Sequence, residues 1–164
     1  PVGPSVVMDW AKRFLDAGID SLSLADTIGT ATPHQIFDLC SNVIDSCPGV
    51  EVTLHLHNTR GLAIANAMSG ISAGIRRLDA SVGGIGGCPY APGATGNVCT
   101  EDLVHALIFD GYQCPVDLDG LIAVSCDLQA LLSDPLPGLV HLAGSKTTMH
   151  SMSDELKSRL GLLS

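Results

Sequence analysis

The 164-residue sequence is short of aromatic side chains, at 4%, and short of cations, with 8 Lys and Arg against 17 Asp and Glu. A formal charge of -9 repels phosphate backbones and anionic lipid, which excludes nucleic acids and membrane surfaces as partners. No apolar run approaches the ~20 residues that a membrane span needs, because Gly, Asp, His or Ser interrupts each one. There is no Cys-x-x-Cys pair either. Cys40, Cys47, Cys88, Cys99, Cys114 and Cys126 are spaced irregularly, which fits reduced intracellular thiols better than a disulfide frame or a zinc knuckle. The chain opens on Pro1 with no initiator Met and no charged-then-apolar leader, so an upstream segment is expected. A cytoplasmic setting is expected, or the mitochondrial matrix in a eukaryote.

Apolar side chains make up 46% of the chain, enough for one sizeable core. Val6, Val7, Trp10, Phe14 and Leu15 form a helical stripe between Pro4-Ser5 and a glycine stop at Gly18. Residues 21–26 read as a strand. Thr32-Pro33-His34-Gln35 is a capping box with proline at the first helical position, and Ile36, Leu39, Cys40, Val43 and Ile44 follow at helical spacing up to Pro48-Gly49. Residues 50–57 alternate, with Val50, Val52, Leu54 and Leu56 on one face and Glu51, Thr53, His55 and His57 on the other. A helix over 62–73, a strand over 78–82, a glycine-rich loop over 83–97, a helix capped by Thr100 and a helix over 118–132 complete the pattern. Strand-plus-helix units of about 30 residues are βαβ units, which call for parallel strands. Three strands are visible, where a closed (β/α)8 barrel has eight and typically ~250 residues. The α/β chain is therefore expected to be the C-terminal portion of a (β/α)8 TIM barrel, over 1–132, with a peripheral tail over 133–164 that holds a short helix at 154–160.

A parallel strand in such a barrel is usually apolar on both faces, yet the second face of 50–57 is Glu, Thr, His and His. His55 and His57 lie two residues apart, so both imidazoles point the same way at the strand's C-terminal end, where barrels of this class keep their active sites. Two convergent imidazoles suit a divalent metal, although hydrogen bonding inside a polar barrel interior explains an arbitrary pair equally well. Asp26 ends another strand, placed to orient a ligand or to cap the turn into Thr27-Ile28-Gly29. The loop 83–97 holds six glycines, which let backbone approach a ligand, but it matches neither a Walker A loop nor a dinucleotide fingerprint. Cys88 within it is an inert thiol or one activated by a nearby cation. Glu101 and Asp102 suit the first turn of a helix, with a role in the site as the alternative.

Together, Asp26-Thr27-Ile28-Gly29, Leu54-His55-Leu56-His57-Asn58-Thr59, Asp79-Ala80-Ser81-Val82, Gly86-Gly87-Cys88-Pro89-Tyr90-Ala91 and Thr100-Glu101-Asp102-Leu103-Val104 resemble the hydroxymethylglutaryl-CoA lyases in order and spacing. The resemblance runs over about residues 21–121. It implies a carbon–carbon lyase that cleaves an acyl-CoA substrate, 3-hydroxy-3-methylglutaryl-CoA, to acetyl-CoA and acetoacetate, as in leucine degradation. It implies a Mg2+ or Mn2+ ion held by His55, His57 and Asn97, with a fourth, acidic ligand from an upstream strand. Further implications are Asp26 and Thr27 in the site, proton transfer by His57, a catalytic Glu101, and Cys88 on a mobile loop over the substrate. The partner so implied is the N-terminal half of the barrel, without which the chain is expected to be inactive and to expose a sheet edge. A homodimer is the expected assembly.

Asn58 stands where this family commonly has aspartate, and Arg60 where it has tyrosine. Both leave the implied ligands intact but bear on which hydroxyacyl-CoA is accepted, so a citramalyl-type thioester is the alternative substrate, with Arg60 placed to pair with its carboxylate. Competing readings are an acetyl-CoA-condensing synthase, which would share the two histidines but not the cysteine loop, a zinc or iron site, and an inactive barrel fragment.

Overall fold

The computed structural model describes residues 2–87, 96–148 and 152–161. In it α1 (Pro4–Asp16), β1 (Ser21–Asp26), α2 (Pro33–Ser46), β2 (Glu51–Leu56), α3 (Ala63–Ser72) and β3 (Arg77–Asp79) alternate as the periodicity predicts. The capping box at the start of α2 is formed: the Thr32 hydroxyl accepts from the Gln35 N–H, and Gln35 Oε1 accepts from the Thr32 N–H at 2.9 Å. Two amides that the helix leaves orphaned are satisfied in this way. The strands pair in parallel in the order β1-β2-β3, and the register sets Ala25 beside His55 and His55 beside Asp79.

The alternation of β2 decides where the core lies. Val52, Leu54 and Leu56 are buried against Ile36, Cys40 and Val43 of α2 and Ala63 and Ala67 of α3. α3 comes this close because Gly70 has no side chain; a Cβ there would lie 2.5 Å from Leu54 Cδ2. The opposite face of the sheet carries Ser21, Ser23, Glu51, Thr53, His55, Arg77 and Asp79, with an ion pair of 2.6 Å between Arg77 and Glu51. No helix packs on that face among the described residues, and it leads to the C-terminal strand ends.

Two boundaries differ most from the sequence expectation. β3 stops at Asp79 rather than running to residue 82, because Val82–Gly84 turns as a 3-10 helix with Gly83 at φ 65. α4 (Thr100–Phe109) takes Cys99 as its N-cap, not Thr100, since Cys99 is extended and bridged to Ser81. α5 (Leu118–Leu131) starts as expected, with the Asp117 carboxylate accepting from the Gly120 N–H. A short α6 (Val140–Ala143) was not foreseen, whereas α7 (Asp154–Arg159) was. Leu136, His141 and Ser145 are buried around α6. No helix among the described residues is long and apolar enough to cross a membrane.

Candidate metal centre

At the end of β2 the two imidazoles converge, His55 Nε2 lying 3.2 Å from His57 Nε2 with the rings at 73°. The parallel register places Asp79 of β3 next to His55, and its carboxylate meets His55 Nδ1 at 2.6 Å. A carboxylate on Nδ1 fixes that nitrogen as the N–H and leaves the lone pair on Nε2, the tautomer a metal ligand needs. His57 is 5% exposed and its Nδ1 has no partner among the described residues. Burial, reinforced by the neighbouring His55, pulls its pKa down against the opposing pull of Asp26 and Asp79. The imidazole is therefore neutral at pH 7.

The segment that closes the glycine run crosses the end of β2. Asn58 N–H donates to Gly96 O at 3.0 Å and Val98 N–H to Leu56 O at 2.8 Å, flanking the antiparallel bridge between His57 and Asn97. Flanking bonds of this kind define the close type of antiparallel pair, with Cα atoms about 4.5 Å apart and both side chains on one face. Asn97 Nδ2 donates to Ile85 O at 3.0 Å, which turns Oδ1 away as the acceptor. No three His, Cys, Asp or Glu side chains gather as ligands among the described residues. Two imidazoles and the amide oxygen of the bridged Asn97 would make a neutral and incomplete donor set, one suited to a divalent cation that takes an acidic ligand from elsewhere.

Asp26 reaches the same end of the sheet, but its oxygens accept from the Thr30 and Ala31 N–H groups, each at 3.0 Å. The turn-capping reading of this residue is thus realised, and its charge still acts on His57. Thr27 and Asp26 border a cavity of 580 Å³ that runs down to Leu24 and Leu54 under α1. Arg60 is exposed and donates through Nη1 to Ile28 O at 2.7 Å, joining the turns that follow β1 and β2. Glu101 is fully buried and does not face the histidine pair through any contact found among the described residues. Both its oxygens accept from Gly83 N–H at 3.1 Å, and the Ser125 hydroxyl donates to it. Burial raises its pKa, but the bonds from Ser125, its own backbone and Gly83 prevail and hold the carboxyl below the ordinary range. Cys88 lies outside the described residues. Asp79, the carboxylate that orients His55, was given no role by sequence reasoning, although it stands in the Asp79-Ala80-Ser81-Val82 motif near the start of the predicted third strand.

Residues 2–128 match the family model described as HMGL-like. The chain belongs to the HMGL-like family. It is 50% identical over 145 residues to the (R)-citramalyl-CoA lyase of Chloroflexus aurantiacus, a match that covers 87% of this chain and 45% of that one. It is 42% identical over 134 residues to the hydroxymethylglutaryl-CoA lyase of Pseudomonas mevalonii, covering 80% and 44%. The structure of an HMG-CoA lyase from Acinetobacter baumannii in complex with coenzyme A and 3-methylmalate superposes with a TM-score of 0.89 at 41% identity, over 93% of this chain and 50% of that one. The chain thus spans about half the length of the relatives it matches. The expected fold class holds: three β/α units with further helices, matching part of a TIM-barrel lyase.

Proposed function

We propose that this chain forms the metal-binding half of an acyl-CoA lyase that cleaves 3-hydroxy-3-methylglutaryl-CoA between C2 and C3, giving acetyl-CoA and acetoacetate. The observation that carries the reading is the histidine pair, with Nε2 atoms 3.2 Å apart and His55 oriented by Asp79. His55, His57 and Asn97 would hold the cation, Mg2+ or Mn2+, and the bound cation would supply Lewis acidity at the substrate's 3-hydroxyl.

A neutral imidazole has one lone pair, so His57 cannot bind a cation through Nε2 and take up a proton at the same time. We assign it to binding, and the hydroxyl proton to Asp26, whose oxygens each keep a further lone pair beside the amide bond they accept. As C2–C3 breaks, the hydroxyl carbon becomes a ketone and C2 departs as the enolate of acetyl-CoA, which takes a proton from Cys88. Thr27 and Arg60 would contact the substrate, with Arg60 Nη2 and Nε pairing with its carboxylate. Glu101 acts through the loop base that it holds at Gly83. The described cysteines are all free thiols, in keeping with a reducing compartment such as the cytoplasm.

One observation favours a second substrate. Identity to the citramalyl-CoA lyase, 50%, exceeds that to the Pseudomonas hydroxymethylglutaryl-CoA lyase, 42%, and Asn58 and Arg60 flank the histidines. Cleavage of (R)-citramalyl-CoA by the same steps gives acetyl-CoA and pyruvate. The test is to assay protein extended to the length of its relatives for acetyl-CoA release from each thioester, with Mg2+ and with EDTA. The proposal expects metal-dependent release, and the larger kcat/KM names the substrate. Release from neither thioester, or release that EDTA leaves unchanged, would sink it.

A further inference from the structure

Residues 136–140 form a strap along the base of the glycine run, and none of the steps above uses it. Leu136 is buried, and its side chain fills the notch at Gly83, where a Cβ would lie 2.7 Å from Leu136 Cδ1. Pro137 fills the adjoining notches: its Cγ would be 3.2 Å from a Cβ on Gly84 and 3.5 Å from one on Gly96. Gly138 donates its N–H to Gly83 O at 3.0 Å. Both backbone groups of Gly83 are therefore held, its carbonyl by the strap and its amide by Glu101.

The strap has little regular structure of its own, so something else must order it. Asp102 of α4 accepts from the Leu139 N–H at 3.0 Å and the Val140 N–H at 2.7 Å, and Gln129 Oε1 of α5 accepts from the Leu136 N–H at 2.7 Å. Charged acceptors make the stronger bonds to backbone amides. Pinned to two helices, the strap presents a fixed apolar surface to the glycines. At the far side of those glycines, Gly96 N–H donates to Gly86 O at 2.9 Å and Asn97 Nδ2 donates to Ile85 O. The carbonyl that orients the Asn97 amide thus belongs to the stretch seated on Leu136 and Pro137.

We propose that the 136–140 strap positions the candidate metal centre, with Leu136 as a positioning residue that fixes Gly83–Gly86 and, through Ile85 O, the direction of the Asn97 amide. The proposal rests on the assignment of Asn97 as a ligand. Residues that orient ligands typically change metal affinity by roughly 10- to 100-fold when altered.

Mn2+ binding to the protein extended to the length of its relatives, read from the EPR signal of the free ion, separates the possibilities. Leu136→Ala and Asp102→Asn should each raise the Kd about tenfold, Leu136→Met should recover most of the affinity, and Leu132→Ala, an exposed control, should change nothing. If Leu136→Ala does not fold by circular dichroism, Asp102→Asn carries the test, because it loosens the strap without opening a cavity. Unchanged affinity in the folded strap variants, with binding still weakened in His57→Ala, would overturn the strap's role and leave the metal centre standing. No binding by the unaltered extended protein would overturn both.

Discussion

Burial disfavours a charged imidazole, and at His57 it outweighs the attraction of Asp26 and Asp79, so the folded group titrates below its ordinary 6.5. The unfolded chain takes up that proton near pH 6.5 while the folded chain resists it. Stability from this group is therefore whole above pH 6.5 and is lost as the pH falls through the folded value. Urea melts should show a lower midpoint at about pH 5.5 than at about pH 7.5, with the difference reduced in His57→Gln. Glu101 acts in the same direction at lower pH: its carboxyl is held below 4.5, so its contribution is complete above that value and is lost as acid protonates it. The direct contact of Asp79 is with His55 Nδ1. With Asp79→Asn the Nδ1 partner loses its charge, and Mn2+ affinity should fall roughly 10- to 100-fold by titration calorimetry, while the fold persists because Asp79 is exposed.

Within single elements, local chemistry was readable where it acts over a few residues. The capping box of α2 and the alternation of β2 rest on neighbours in sequence, and both formed as expected. The same alternation that buries Val52, Leu54 and Leu56 delivers His55 and His57 to the other face, so the central pair of the site could be picked out from the sequence. What could not be read depends on pairing between distant residues. Asp79 meets His55 only through the register of two parallel strands, the Cys99 cap follows from its bridge to Ser81, and α6 is held by the Asp102 carboxylate. Asp26 shows a different limit, since one carboxylate can serve a turn and a site, and its residue type fits both. Packing gives a sharper test of the α3–β2 contact. Gly70→Ala would force its methyl against Leu54 Cδ2, and this overpacking should cost about 1–3 kcal/mol in chemical denaturation.

At the scale of the whole molecule, the sheet and one helical layer form a sound core, but other surfaces remain open. Val6, Trp10 and Phe14 lie four residues apart on α1 and are 45%, 51% and 48% exposed. An apolar stripe of this kind calls for a covering partner, and the relatives that this chain matches are about twice its length. Adding a separately expressed N-terminal half of a related lyase should shift the emission of Trp10, the single tryptophan of the chain, to shorter wavelength; unchanged emission would argue against packing on this stripe. Pulsed EPR of Mn2+ bound to the protein extended to the length of its relatives tests whether two imidazoles at the end of β2 hold the ion, because nitrogen ligands leave resolvable couplings. Coupling from two imidazole nitrogens is expected, one of them lost in His55→Ala and one in His57→Ala, whereas bound Mn2+ with no imidazole coupling would rule out a metal centre on this histidine pair.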